Sequence, residues 1–156
     1  MNDLVMADEG IRFDASLDKL AGLNPVTEGG VITAGNASQI TDGAAAVMVC
    51  NDAGLKKIQA NPRAEIVSIS VVGDDPVFML TGPIPASIQA LKTANLTIDD
   101  MDLYEVNEAF APVPLAWAED LKADKSKLNV NGGAMALGHP LGATGAKLMT
   151  TLLHEM

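Results

Sequence analysis

The residues whose types and spacing best suit chemistry lie near the end of the chain, in the glycine-rich stretch NVNGGAMALGHPLGATG at positions 129–145. His139 is followed by Pro140, which suits the first position of a helix because its missing N–H is harmless there. We therefore expect a helix from Pro140 to residue 155, with His139 at its N-terminus. The helix dipole would favour a neutral imidazole, able to act as a base or a hydrogen-bond donor. Considered alone, Gly-His-Pro more often indicates only a tight turn.

The glycine spacing excludes two common phosphate-binding motifs. Gly138, Gly142 and Gly145 do not fit G-x-G-x-x-G, and Gly145 is followed by Ala146 and not by lysine. The stretch is therefore neither a dinucleotide fingerprint nor a P-loop. Its small residues would instead let the following helix lie close to a sheet, which would fix the position of the imidazole.

A second candidate side chain is Asn107, in the segment EVNEAF at positions 105–110. We expect a strand to end here and a helix to follow it. Ligands of open α/β sheets bind beyond the carboxyl ends of strands. The Asn107 amide is therefore well placed to donate a hydrogen bond to a ligand. Asn107 followed by Glu108 is also an ordinary N-cap with an acid in the first turn, and that reading stays open.

A third candidate is Ser38, in the small-residue segment TAGNASQITDGAAA at positions 33–46. Small side chains leave a shallow surface on which an extended ligand could lie, with the Ser38 hydroxyl as a polar contact. Glycine, asparagine and serine also simply form turns, so the segment alone is a weak signal.

Cys50 is the single cysteine, which excludes an internal disulfide and any multi-cysteine zinc site. It ends the apolar run 44–50, which favours a buried and therefore unreactive thiol over the alternative of a nucleophile.

Length, charge and hydropathy limit the possible partners. The chain has 156 residues, with 20 acidic and 10 basic side chains and a formal charge of -10. This balance disfavours nucleic acid, and an anionic small molecule would need a local site of backbone donors or a few basic residues. No apolar run is long enough to span a membrane. The opening residues MNDLVMADEGIR lack a signal-peptide pattern, so we expect a cytoplasmic protein.

The hydrophobic pattern predicts an α/β domain with a largely parallel, two-sided sheet, because strands and helices alternate. The final helix carries Leu148, Leu152 and Leu153, which need a sheet to cover, yet no strand follows. We interpret the chain as a piece of a larger fold. The predicted strands are 31–34, 44–50, 64–72, 103–106 and 128–131, and the predicted helices are 16–23, 53–59 with an Asn51-Asp52 cap, 86–94, one after Asn107 that contains Trp117, and 141–155.

Five motifs occur in one order: DEGIR at 8–12, TAGNASQITDGAAA at 33–46, GPIPA at 82–86, VNEAFA at 106–111 and NVNGGAMALGHPLGATGAK at 129–147. In this combination the chain resembles the thiolase family, whose members cleave 3-ketoacyl-CoA with CoA or condense two acetyl-CoA molecules. The resemblance implies two βαβαβαββ halves stacked in αβαβα layers. Residues 1–30 would end the loop domain, 31–60 would finish the first half, and 61–156 would form the second half without its last strands.

The resemblance also implies roles for particular side chains. His139 would activate a nucleophilic cysteine that lies outside this chain, and Asn107 would hold a water that forms an oxyanion hole with His139. CoA would be a substrate and not a permanent cofactor, no metal would be needed, and the complete protein would be a homodimer or homotetramer. The residues implied in binding CoA or the acyl group are Ser38 and Ala37 at the pantetheine arm, Met79 and Phe110 in its tunnel, Arg12 at the phosphate, and Leu20 and Leu23 near the adenine.

The sequence is compatible with two other functions. The chain could be a catalytically inactive module that binds CoA or acyl-CoA, having lost the thiol. It could also be related to condensing enzymes that act on carrier proteins, but those carry a second histidine where this chain has Asn107.

Overall fold

The computed structural model describes residue 4 and residues 6–156. This part of the chain holds six α-helices joined by turns and loops. The helices are α1 (Leu17–Ala21), α2 (Asp52–Ile58), α3 (Pro83–Ala94), α4 (Pro112–Leu121), α5 (Ala134–Leu137) and α6 (Thr144–Glu155), and two short 3-10 turns span Ile98–Asp100 and Lys125–Lys127.

The first two helices begin where the sequence predicts. Before α1, the Ser16 hydroxyl accepts a hydrogen bond from the Lys19 N–H, and before α2 the Asn51 side-chain Oδ1 accepts one from the Gly54 N–H. Each side chain satisfies one of the donors that a helix N-terminus leaves free. The predicted Asn51 cap is therefore confirmed, and Ser16, the first residue of the predicted helix 16–23, is the cap of α1.

The prediction that Asn107 and Glu108 cap the next helix is wrong. Helix α4 begins only at Pro112, after an Ala111 cap that makes no side-chain hydrogen bond. The Glu108 carboxylate instead accepts hydrogen bonds from Asn129 Nδ2 at 2.8 Å and from the Met135 N–H at 3.0 Å. Glu108 is thus engaged with a distant loop, and Asn107 is left available for a site.

The predicted strands do not form ladders within the described part of the chain. Three isolated bridges are present instead: Pro25 with Thr33, Ala37 with Phe110, and Tyr104 with Leu128. A strand needs a neighbour along its whole length, and these segments meet one another only at single residue pairs.

Segment 64–72 nevertheless keeps the alternation that the sequence predicts. The Ser68 and Ser70 hydroxyls donate to carbonyl oxygens of α3, at 2.9 and 2.6 Å. Val67, Ile69 and Val71 are 68%, 75% and 89% exposed. One face therefore contacts a helix, and the other face is apolar and uncovered.

The core lies where α4 packs against the segment that leads to Asn107. It consists of Tyr104, Val106, Trp117 and Ala118. The rings of Tyr104 and Trp117 meet edge to face with centroids 5.2 Å apart. The Trp117 indole N–H donates to the Ser87 hydroxyl on α3, which joins the two helices. This core fixes the direction in which the chain emerges at Asn107.

Two local predictions are corrected near the candidate residues. Helix α6 begins at Thr144, and residues 141–143 form a turn in which the Ala143 and Thr144 N–H groups both donate to the Pro140 carbonyl oxygen. His139 is therefore separated from the helix by this turn, and it lies farther from the positive end of the helix dipole than predicted. Cys50 is exposed, because its apolar run 44–50 finds no covering element in the described part of the chain.

Candidate active site

His139 is held by contacts on both its backbone and its ring. Its N–H donates to the Gln39 carbonyl oxygen at 2.9 Å, and its Nδ1 lies 2.7 Å from Thr144 Oγ1. The residue before it is also fixed, because Lys147 Nζ donates to the Gly138 carbonyl oxygen at 2.7 Å. A ring supported in this way points in one direction, as a positioned base requires.

Gly138 is required immediately before the histidine. Its backbone has φ 88° and ψ 162°, a region that is essentially restricted to glycine. A Cβ atom at this position would lie 2.5 Å from Thr41 Oγ1. The close approach of Thr41 and the unusual backbone together turn the chain so that His139 faces the site.

Asn107 faces the histidine ring. Its side-chain Nδ2 lies 3.4 Å from His139 Nε2. Its other side-chain atom, Oδ1, is buried and has no hydrogen-bond partner among residue 4 and residues 6–156. A buried acceptor without a donor is costly. Asn107 Oδ1 can therefore accept a hydrogen bond from a molecule bound beside Asn107 and His139.

Asn107 is positioned by a neighbouring amide that clamps its segment. The Asn129 side chain accepts from the Val106 N–H and donates to the Val106 carbonyl oxygen, both at 2.9 Å, and also donates to Glu108. Asn129 belongs to the loop that continues through α5 to His139. The two candidate side chains are therefore attached to one hydrogen-bonded framework.

The third predicted segment joins the same place. The Ser38 N–H donates to the Ala109 carbonyl oxygen at 3.1 Å, and the Ala111 N–H donates to the Asn36 carbonyl oxygen at 2.9 Å. This short antiparallel contact sets Ala37 opposite Phe110. All three segments that the sequence singled out thus converge, although they are far apart along the chain.

The remaining predicted contacts are more peripheral. Arg12 is exposed and its guanidinium donates to the Glu9 carbonyl oxygen at 2.9 Å. Its turn is tied to the site through Gln39 Nε2, which donates to the Gly10 carbonyl oxygen at 3.1 Å. Leu20 and Leu23 approach Gly35, within 2.6 and 2.9 Å of where a Cβ would lie. These side chains therefore border the segment that contains Ser38.

An apolar pocket of about 350 Å³ lies beside Phe110. Leu80 and Thr81 line it together with Phe110, but Met79 does not line it and is 65% exposed, with φ 54°. The structure therefore brings Phe110 to an apolar cavity and leaves Met79 outside that cavity.

Glu105, two positions before Asn107, carries a half-buried carboxyl group. Burial, and then the negative charge of Glu108, raise the pKa of Glu105, while Lys147 opposes the shift. Glu105 Oε2 is buried and, within the described ranges, has no hydrogen-bond partner. The neutral carboxyl form is thus favoured more than usual at this position.

Sequence reasoning missed the supporting residues Thr144, Glu108 and Asn129. One signal was available for Thr144, because a threonine in the first turn of a helix commonly bonds back towards the preceding turn. The partnership of Glu108 with Asn129 spans 21 positions, and no local pattern predicts it.

Neither a metal cluster nor a membrane-spanning helix is found in the part of the chain that the structure describes. No group of three or more metal-ligating side chains occurs there, and no helix there is long and apolar enough to cross a bilayer.

Comparison with known proteins identifies the class of this fold. A model of the thiolase N-terminal domain matches residues 1–53, and a model of the thiolase C-terminal domain matches residues 60–156. The chain therefore belongs to the thiolase family, as the motifs predict, and its fold is of the thiolase α/β type.

Particular relatives are similar over almost the whole chain. Steroid 3-ketoacyl-CoA thiolase FadA6 of Mycobacterium tuberculosis is 58% identical over 149 residues, which cover 96% of this chain and 36% of that protein. An acetyl-CoA acetyltransferase of Cupriavidus necator is 49% identical, with 96% of this chain and 38% of the relative covered. The crystal structure of human mitochondrial 3-ketoacyl-CoA thiolase in complex with CoA is 46% identical, with a TM-score of 0.87, and covers 97% of this chain and 39% of the human chain. The chain thus spans little more than a third of these relatives.

Proposed function

We propose that this chain is part of an acyl-CoA acyltransferase of the thiolase type, which cleaves 3-ketoacyl-CoA with CoA or condenses acetyl-CoA. The observation that carries the proposal is the approach of the Asn107 amide to the His139 imidazole, 3.4 Å apart, beside the Ser38 segment. The names of the relatives agree with this activity, and the CoA complex of the human relative supports CoA as a substrate.

In the proposed reaction the nucleophilic cysteine lies outside this chain. His139 Nε2 takes the thiol proton, and the resulting thiolate attacks the 3-keto carbon of the substrate. The bond between C2 and C3 of the substrate then breaks, and acetyl-CoA leaves as an enolate that takes up a proton from a group outside this chain. That group accepts the thiol proton of free CoA, whose thiolate attacks the acyl-enzyme thioester. The cysteine thiolate is released and regains its proton from His139, which completes a ping-pong cycle. The Asn107 amide, through a water, and the His139 ring would donate hydrogen bonds to the carbonyl oxygen on which negative charge develops.

The proposed CoA contacts follow the arrangement of the peripheral residues. Ser38 and Ala37 would contact the pantetheine arm, and Phe110 would face it from the adjoining segment. Arg12 at the phosphate, Met79 in the tunnel, and Leu20 and Leu23 at the adenine remain predictions. The approach of Leu20 and Leu23 to Gly35 supports their proposed role, because Gly35 belongs to the segment that contains Ser38.

We also propose the αβαβα layering and a homo-oligomer for the complete protein. In this scheme residues 1–30 end the loop domain, 31–60 finish the first half, and 61–156 form most of the second half. The exposed Val67, Ile69 and Val71 support further polypeptide lying against this face. A cytoplasmic location remains a prediction, because one relative is named as mitochondrial.

A chimera provides the most direct test of this function. This chain would replace the matching segment of the Cupriavidus necator acetyl-CoA acetyltransferase, which supplies the remaining fold. We expect CoA-dependent cleavage of acetoacetyl-CoA, reduced about 10²–10³-fold by Asn107→Ala and about 10²–10⁴-fold by His139→Ala. The matched controls Asn131→Ala and His154→Ala change exposed side chains and should retain the activity.

The competing function is a CoA-binding module without catalysis. Full activity of a folded chimera after Asn107→Ala and His139→Ala would contradict the proposed roles. A folded but inactive chimera that still binds CoA would favour the binding module. We expect the 156-residue chain alone to show no cleavage; cleavage lost on Cys50→Ser would show that Cys50 is the nucleophile.

A further inference from the structure

We propose that Thr144 is a positioning residue whose hydroxyl fixes the tautomer of His139, so that the lone pair of Nε2 faces Asn107. The tautomer follows from the geometry alone. Its importance for catalysis rests on the function proposed above.

Thr144 has one hydroxyl proton and two neighbours that compete for it. Its Oγ1 donates to the Pro140 carbonyl oxygen at 3.0 Å and lies 2.7 Å from His139 Nδ1. The carbonyl oxygen can only accept, whereas Nδ1 can either donate or accept. Both contacts are hydrogen bonds at the same time only if the hydroxyl proton is directed to the carbonyl oxygen. The hydroxyl oxygen must then accept a hydrogen bond, which requires a proton on Nδ1.

The opposite side of the ring agrees with this assignment. With the proton on Nδ1, a neutral imidazole leaves Nε2 as an acceptor, and the donor Nδ2 of Asn107 lies 3.4 Å from it. The other tautomer would turn an N–H of His139 towards the N–H of Asn107. It would also require Thr144 to give up its bond to Pro140. Both sides of the ring therefore favour the same protonation pattern.

Burial shields the Thr144 hydroxyl from water. Thr144 is 4% exposed, so solvent does not compete for its hydroxyl. A merely structural role is represented on the same helix by Thr150, whose hydroxyl donates to the Ala146 carbonyl oxygen at 2.8 Å. Thr150 thus provides a matched control for the loss of a threonine back-bond in α6.

The tautomer can be measured by ¹⁵N NMR of the imidazole nitrogens in the 156-residue chain, at a pH where the rings are neutral. The chain has two histidines, so in the variant His154→Gln the only histidine signals are those of His139. We expect a protonated Nδ1 and an unprotonated Nε2 in the unaltered chain and in Thr144→Ser. Thr144→Val should shift the ratio of tautomers about tenfold towards Nε2–H, whereas Thr150→Val should not change it.

Two results would overturn the inference. One is a predominant Nε2–H form in the unaltered chain, a measurement that does not depend on any variant folding. The other is an unchanged tautomer ratio in a folded Thr144→Val chain.

Catalysis is tested separately in the chimera. There, Thr144→Val should lower kcat about tenfold with little change in the KM for CoA, and Thr144→Ser should restore it. An active chimera with an unchanged kcat would refute the catalytic role of Thr144. A folded chimera that is inactive before any substitution would instead refute the proposed function, while the measured tautomer would stand.

Discussion

Asn129 offers the most quantitative test of how the candidate site is assembled. The residue is 8% exposed, and its side chain makes three hydrogen bonds, two to the backbone of Val106 and one to Glu108. Its own backbone has φ 47°, which asparagine tolerates better than most residues. Replacing it removes the clamp that joins the Asn107 segment to the loop leading to His139.

The expected cost of Asn129→Ala follows from the groups that lose their partners. Val106 is 7% exposed, so its N–H and carbonyl groups would be left buried without hydrogen bonds. Each such group costs about 1–3 kcal/mol, which gives about 2–6 kcal/mol for the pair. A loss of this size is a large fraction of the 5–15 kcal/mol that typically separates folded from unfolded states. We therefore expect a severe loss of stability.

Asn131→Ala is the matched control two positions along the same loop. The Asn131 amide makes one exposed hydrogen bond, to Glu155, so its loss should change stability by less than about 0.5 kcal/mol. Urea unfolding can be followed by the fluorescence of Trp117, the only tryptophan, which is 3% exposed in the core. Equal midpoints and slopes for the two variants would refute the clamp.

Local chemistry in the sequence was sufficient to predict the starts of α1 and α2 and the candidate residues. Ser16 and Asn51 act as caps because a short polar side chain reaches back to its own helix, and this depends only on nearby residues. His139 and Asn107 were singled out by residue type beside glycine or at a predicted strand end. Their approach was implied by the family resemblance and by no local pattern.

Two of the predictions that proved wrong depended on distant partners. Asn107 and Glu108 are residue types that commonly begin a helix. The Glu108 carboxylate instead accepts hydrogen bonds from Asn129 and Met135, which lie 21 and 27 positions away. Cys50 ends a run that reads as a buried strand, yet burial requires another element to cover it, and this chain covers little more than a third of its relatives. Periodicity indicates which face of a segment is apolar, but not what lies against it.

Two further substitutions test the support of the site. Gly138→Ala should destabilise the chain by about 1–3 kcal/mol, because the backbone at this position suits only glycine and the added Cβ would collide with Thr41. Gly142→Ala is the control and should not destabilise the chain, because open space surrounds its Cβ. Equal unfolding midpoints for the two variants would contradict this prediction. Glu105→Gln tests the raised pKa of Glu105, which arises from burial and then from the charge of Glu108. The folded chain keeps this proton to a higher pH than the unfolded chain, so the stability that the neutral carboxyl contributes is complete below the unfolded pKa of about 4.3 and is lost as the pH rises through the folded pKa. The glutamine side chain cannot ionise, so the variant should gain stability relative to the unaltered chain as the pH rises towards neutrality. Urea unfolding across this range checks the sign, and a stability difference that does not vary with pH would show that Glu105 ionises freely in the folded chain.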